Sequence, residues 1–230
     1  LGVDAGPERV PSLQKEIIKT CRQKGRPVVV ATEMLESMVE RRRPTRAEAS
    51  DVAGAVFEGA DAVMLSAETA IGAHPVMTVK TMSRILVAAE QDPNAPYAGD
   101  RRYVPPEIKS GRYDQHVTHA AVQLAHRAAV PAIVEYSRTG ATAVRVSKER
   151  PRAPIIAFSA SDAVCRRITM AWGVRPHRLR GVKGSDAVVE AVIDHLRRVE
   201  KIPRGSRAVL VMGAPRDPAG ATSQIRLLTV

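Results

Sequence analysis

Two polar clusters in this chain stand directly behind apolar runs. Val28, Val29 and Val30 lead into Ala31, Thr32 and Glu33, and Ala62, Val63, Met64 and Leu65 lead into Ser66, Ala67, Glu68 and Thr69. Hydroxyls and carboxylates gathered at one place could position a ligand or take part in chemistry there. The same side chains could instead satisfy a loop or cap a turn. A third cluster, Tyr136-Ser-Arg-Thr-Gly-Ala-Thr142, leaves a strand and opens a helix. Its backbone N–H groups, the helix dipole and the hydroxyls of Ser137, Thr139 and Thr142 could converge on a phosphate. Arg138 adds charge, and Gly140 permits close approach of the backbone. A glycine-containing loop, Gly213 to Ser223, follows a later strand and carries Arg216 and Gly220. Helix capping by the serines and threonines is the plain alternative for the first of these loops.

The elements around these clusters read as α/β. A β-branched run without alternation predicts a strand buried on both faces, as in a parallel sheet covered by helices. Thr32, Glu33, Ser66 and Glu68 then lie at strand carboxyl ends, where barrel enzymes place their chemistry. Pro44-Thr-Arg-Ala-Glu48 reads as a turn and helix start. Met34 and Met38, four apart, read as core, and Arg41-Arg-Arg43 as a solvated run. Further on, helices are expected over 116–129, 142–148, 163–172 and 186–199, with Gly173 closing the third. Strands are expected over 132–135, 155–158, 174–179, 208–212 and, at an edge, 224–230. Such alternation predicts a three-layer α/β/α open sheet, mostly parallel, with ligands beyond the strands' carboxyl ends.

Composition narrows the classes. A chain of 230 residues favours two units, and the Pro- and Gly-rich stretch over 93–112 reads as the linker between 1–92 and 113–230. Residues 1–100 carry 12 Lys and Arg against 14 Asp and Glu, a balance of −2; residues 101–230 carry 23 against 10, or +13. The second half should attract anions. Only seven residues are aromatic, which leaves few stacking platforms for nucleic acid. No apolar run is long enough for a membrane span and no signal-peptide pattern opens the chain, so a cytoplasmic protein is expected. Cys21 and Cys165 form no framework and read as ordinary thiols. His116, His119 and His126 complete no metal-ligand set, and no metal site is expected in this chain. No Walker A, zinc-spacing or Ser-His-Asp pattern occurs.

Four segments carry a resemblance. Val30-Ala-Thr-Glu-Met-Leu-Glu-Ser-Met38, Arg43-Pro-Thr-Arg-Ala-Glu48, Ser50-Asp-Val-Ala53 and Asp61-Ala-Val-Met-Leu-Ser-Ala-Glu-Thr69 closely resemble pyruvate kinase, in one order. The likeness is strong to about Asp92 and looser, through element order and short loops, from Tyr113 to Val230. It implies the last strands and helices of a TIM-type (β/α) barrel followed by the carboxyl-terminal, effector-binding domain. By resemblance, Leu1-Gly-Val3 follows the aspartate that helps hold the divalent metal. The Mg²⁺ and K⁺ ligands and the phosphate-binding Lys and Arg would then precede this chain, and neither ion is expected to bind it tightly.

The resemblance also implies roles. Thr32 matches the threonine beside the reactive carbon of phosphoenolpyruvate, implicated in proton delivery. Ser66 and Glu68 resemble partners that position Thr32 and nearby backbone. Glu33 departs from the family, where glutamine is usual; the carboxylate adds charge at the barrel mouth and deletes a donor. Ser137, Arg138, Thr139, Gly140 and Thr142, with Gly213, Arg216 and Gly220, match a cradle for allosteric sugar phosphates. Ala141 stands where responders to fructose bisphosphate carry arginine, so the effector, sugar phosphate or nucleotide, stays open. Arg46 begins a helix, a poor place for a cation, and should have an acidic partner; by resemblance its loop nears the neighbouring subunit in a homotetramer, with a surface ion pair as the other reading. The implied reaction moves phosphate from phosphoenolpyruvate to ADP, giving pyruvate and ATP in glycolysis, with this portion inactive alone. A non-catalytic sugar-phosphate sensor or protein-interaction module is the alternative.

Overall fold

The computed structural model describes residues 6–93, 95, 113–182, 184–214 and 216–230. The chain divides into two compact units, Leu1–Pro96 and Tyr97–Val230. The linker expected over 93–112 falls, but for residues 93 and 95, outside the described residues.

In the first unit α1 (Val10–Gln23) precedes β1 (Val29–Ala31), and α2 (Arg46–Glu58) leads to β2 (Ala62–Met64). A short α3 (Ala67–Ala70) and the longer α4 (Pro75–Gln91) follow. The two strands pair in parallel, Val30 opposite Val63 and Ala31 opposite Met64. Asp61 pins the start of the pair: its Oδ2 accepts the Val28 N–H at 2.9 Å, and its own N–H donates to the Val28 carbonyl at 3.0 Å. α2 starts where Thr45 and Glu48 form a reciprocal capping box. Ile18, Val30, Leu35, Met38, Val52 and Met82 form the core, and Met34 is buried with them. Arg41, Arg42 and Arg43 are exposed. One expectation needs correcting. Val29 is 39 % exposed and Met64 45 %, so the strands are covered on one face only; within this unit the described residues supply two strands, too few to close a sheet around them.

The second unit follows the expected alternation. Its helices are α5 (Tyr113–Arg127), α6 (Ala141–Lys148), α7 (Asp162–Ile168) and α8 (Ser185–Arg198); its strands are β3 (Ile133–Tyr136), β4 (Ile155–Ser159), β5 (Val174–Arg178), β6 (Arg207–Met212) and β7 (Gln224–Thr229). The sheet order is β5-β4-β3-β6-β7. All neighbours are parallel except β7, which runs antiparallel to β6 along the edge. Alternate strand residues feed two apolar layers. Ile133, Ile155, Ala157, Val209 and Val211 pack with Ala121, Val122, Val146 and Ile168; Val134, Ile156, Phe158 and Leu210 pack with Val188, Val192 and Leu196. Helices therefore cover both faces, and the fold class is the three-layer α/β/α sheet.

α7 is shorter than the expected 163–172. Ser161 caps its start, accepting the Val164 N–H at 3.4 Å. At its other end the Thr169 hydroxyl turns back onto the Cys165 carbonyl at 3.0 Å, and the chain leaves the helix. Gly173, at φ 69°, closes the turn before β5 instead of the helix itself.

Candidate functional site

Two places gather the residues that the sequence singles out. The first is the carboxyl end of the β1–β2 pair. Behind β1 the chain turns through Thr32 at φ 72° and Glu33 at φ 54°, both in the left-handed region. A β-branched residue there carries about 1–3 kcal/mol of strain that surrounding structure must hold. The Thr32 hydroxyl donates to the Ala31 carbonyl at 2.6 Å. Thr32, Glu33 and Ser66 are exposed at this rim, whereas Glu68 is 1 % exposed.

Glu68 uses both carboxylate oxygens. Oε1 accepts the Leu35 N–H at 3.1 Å and Oε2 the Ser66 N–H at 2.7 Å. The second bond is local to its own turn; the first crosses to the loop behind β1. One carboxylate thus fixes both strand ends. Gly72 completes the fit, since a Cβ there would stand 2.3 Å from the Glu68 carbonyl oxygen.

Glu48, which the sequence offers only as part of a helix start, ties a second pair of segments. Beyond its capping box it accepts the Ser37 N–H and the Ser37 hydroxyl, each at 2.6 Å. Burial pushes its carboxyl up, but the bonds from Ser37 and Thr45 outweigh that and hold it below its ordinary value. The Thr-x-x-Glu spacing was the available signal. Arg46 is exposed at the first position of α2, with no ion pair among the described residues.

The second place is a cavity of about 200 Å³ at the carboxyl ends of β3 and β6. The chain runs from β3 outward through β4 and β5, then returns to place β6 on the other side of β3. Loops diverge at such a switch point and leave a crevice. Ser137, Arg138, Gly213 and Gly220 line it, as do Asp217 and, from the start of α8, Gly184 and Ser185. Thr139, Gly140, Thr142 and Arg216 are not in the lining.

Each of these has another engagement or position. Gly140 (φ 74°) donates its N–H to the Ser137 hydroxyl oxygen at 2.6 Å, and a Cβ there would lie 2.4 Å from Ile168 Cγ2. Thr142 is fully buried, its hydroxyl 2.7 Å from that of Thr222. Arg145 also donates to Thr222, at 3.2 Å, and pairs with Asp114. The Thr139 hydroxyl accepts the Ala141 N–H at 3.4 Å. Arg216 is exposed. Arg138 reaches across to the Asp217 carbonyl at 3.3 Å and joins the two loops.

Asp217, Ser185 and Thr222 were not anticipated. Hydrogen bonds from the Ser223 hydroxyl and then the Ala214 N–H hold the Asp217 carboxyl below its ordinary value. The cavity thus contains one fixed anion beside Arg138. Deeper, on β3, Glu135 is fully buried, and neither of its oxygens has a hydrogen-bond partner among the described residues. Burial pushes its carboxyl up to about 8. At neutral pH it is mostly protonated.

Among the described residues the one three-ligand grouping suited to a metal is His177, His195 and Glu200. It lies apart from the histidines weighed in the sequence; of those, His119 pairs with Glu149 at 3.0 Å and His116 is exposed. Cys21 and Cys165 are free thiols.

Comparison with known proteins covers both places. Residues 1–79, which include the Thr32–Glu68 rim, match the model of the pyruvate kinase barrel domain, and residues 115–228, which include the cavity, match that of the pyruvate kinase alpha/beta domain. This chain belongs to the pyruvate kinase family. Curated pyruvate kinases from Agrobacterium vitis and Clostridium acetobutylicum are 41 % and 37 % identical across the whole chain, which covers 47 % and 48 % of them. That of Geobacillus stearothermophilus is 40 % identical over 99 % of the chain and 38 % of its own length. A solved pyruvate kinase from Cryptosporidium parvum superposes with a TM-score of 0.86 at 35 % identity, over all of the chain and 45 % of the solved one. The chain therefore spans about half the length of the first two pyruvate kinases. Among the described residues no helix is long and apolar enough to cross a membrane.

Proposed function

We propose that this chain supplies the carboxyl-terminal portion of a glycolytic pyruvate kinase, acting in the cytoplasm. The observation that carries the reading is the clamp at the rim: Glu68 bonds Leu35 and Ser66, behind β1 and β2 respectively. It keeps Thr32 and Ser66 at the ends of paired parallel strands, where a barrel enzyme's chemistry lies.

The parent enzyme transfers the phosphoryl group of phosphoenolpyruvate to ADP, leaving the enolate of pyruvate. That enolate takes a proton at its methylene carbon. Thr32 handles this proton in relay with water, its hydroxyl breaking from the Ala31 carbonyl to do so. Glu33 sets a negative charge at the same rim. Exposed Arg46 is assigned to a contact between subunits of a homotetramer.

Mg²⁺ and K⁺, which the parent reaction needs, do not fit the residues of this rim. Both Glu68 oxygens are committed to N–H groups, and no three-ligand set occurs there among the described residues. The ions belong to parts of the enzyme outside this chain. Phosphoryl transfer depends on positioning and electrostatic stabilisation, so the 230 residues alone should show no turnover.

In the second unit the cavity between the Ser137 and Gly213 loops is assigned to an effector, a sugar phosphate or nucleotide. Arg138 and the N-terminal start of α8 favour its phosphate, while Asp217 selects for a ligand that also offers hydroxyl donors. No observation favours the non-catalytic module over this reading. The test is a hybrid enzyme in which the chain follows the amino-terminal part of the Agrobacterium vitis pyruvate kinase. Phosphoenolpyruvate-dependent ATP formation is expected; a folded, soluble hybrid without it would contradict the assignment.

A further inference from the structure

His177 stands near the end of edge strand β5, His195 in the last turn of α8, and Glu200 just beyond that helix. One donor atom from each lies within 4.8 Å of the others. His177 Nε2 and Glu200 Oε1 are 3.0 Å apart, and the two imidazole rings are 4.2 Å apart between centroids. We propose that His177, His195 and Glu200 bind one zinc-class divalent ion, with water completing the coordination, and so clip α8 to β5.

Two imidazoles and a carboxylate with an open fourth position form a ligand set that suits zinc, cobalt or nickel. Bonds of about 2.0–2.2 Å in tetrahedral array separate donors by about 3.3–3.6 Å. His177 Nε2 and Glu200 Oε1 stand at 3.0 Å and all three donors within 4.8 Å, so side-chain rotations would bring them to that spacing. All three residues are half-buried, which leaves a route for an ion from solvent.

A second observation points the same way. His195 Nε2 is buried and has no hydrogen-bond partner among the described residues. An orphaned polar atom of this kind is destabilising, and an ion drawing His195 into the set would give the ring a strong partner.

The surroundings fit a held ligand set. Phe158 packs edge-on against His195 at 4.9 Å between centroids and floors the site. Arg175 Nη1 donates to Glu200 Oε2 at 3.1 Å, leaving Oε1 to face the histidines. Outer partners of this type orient ligands at metal sites. The clip would also steady α8, whose first residue, Ser185, lines the cavity.

The test is titration of the chelator-treated 230-residue chain with Co²⁺, read by its visible absorption, and with Zn²⁺, read by melting temperature. One Co²⁺ per chain with a four- or five-coordinate spectrum, and a higher melting temperature with Zn²⁺, are expected. His177→Ala and Glu200→Gln should each weaken Co²⁺ binding by about tenfold or more, with circular dichroism unchanged, while His119→Ala binds as the parent does. Glu200→Gln keeps the size and most hydrogen-bonding capacity of the side chain, so its loss of cobalt would not reflect unfolding. No cobalt spectrum, or a spectrum that survives both folded variants at parent affinity, would overturn the proposal.

Discussion

The Glu68 carboxylate holds the Leu35 N–H at 3.1 Å, joining the loop behind β2 to the loop behind β1. Hydrogen bonds to a buried charge are worth about 1.5–3 kcal/mol, and an N–H left behind without its acceptor costs more. The left-handed turn at Thr32 and Glu33 lies just ahead of Leu35. This one side chain therefore helps hold a strained loop that its own backbone would abandon.

Glu68→Gln should destabilise the first unit by about 2–4 kcal/mol, because one oxygen becomes an NH₂ facing an N–H. Hydrogen exchange at the Leu35 and Ser66 amides reads the effect. Both should quicken, while amides of the second unit keep their rates. Unchanged exchange at Leu35 would mean that the clamp does not hold the loop.

Glu135 makes the second unit's stability fall with rising pH. In the unfolded chain this carboxyl loses its proton near 4.5, in the folded one near 8. Between these values the folded state binds more protons, so its stability is full below about 4.5 and declines through about 8. The slope approaches about 1.4 kcal/mol per pH unit. Glu135→Gln should flatten this decline in urea-unfolding midpoints and leave the variant more stable than the parent at pH 8. An equal slope in both would refute the burial effect.

Much of the fold could be read from residue patterns. The apolar runs at Ile133, Ile155 and Ala208 announce central parallel strands, and they are the most buried segments of the sheet. The loops that follow two of them supply the cavity wall. Periodicity could not show which hydroxyls face that cavity: Thr142 looks like its neighbours in sequence but points to Thr222, eighty residues on. Nor could it reveal the His177, His195 and Glu200 grouping, which a crossover helix brings to the sheet edge. A β-branched run likewise does not tell how many strands cover it, hence the exposed Val29 and Met64.

Effector binding at the cavity is predicted to raise the melting temperature. A sugar phosphate or nucleoside monophosphate at 100 times its Kd adds about 2.7 kcal/mol, which is a shift of several degrees. Arg138→Ala removes both a phosphate-seeking cation and the bond to the Asp217 carbonyl, and should reduce that shift by more than half. A full shift in the variant would move the binding site elsewhere.

Gly140→Ala should destabilise the second unit by about 1–3 kcal/mol, through its left-handed φ and through contact with Ile168. Ile168→Ala in the same chain frees the space but not the φ, so only part of the loss should return. Differential scanning calorimetry of the two single variants and the double variant separates the terms; full additivity would exclude the steric clash.

The claim that this chain carries a working pyruvate kinase rim is tested most directly by the turnover ratio of Thr32 to Thr32→Ala in the hybrid with the Agrobacterium vitis amino-terminal part. Loss of a group handling a transferred proton predicts a kcat lower by about 10²–10⁴ with a folded, oligomeric protein. Equal kcat for the two would contradict the role of Thr32 and the placement of the chemistry at the β1–β2 rim.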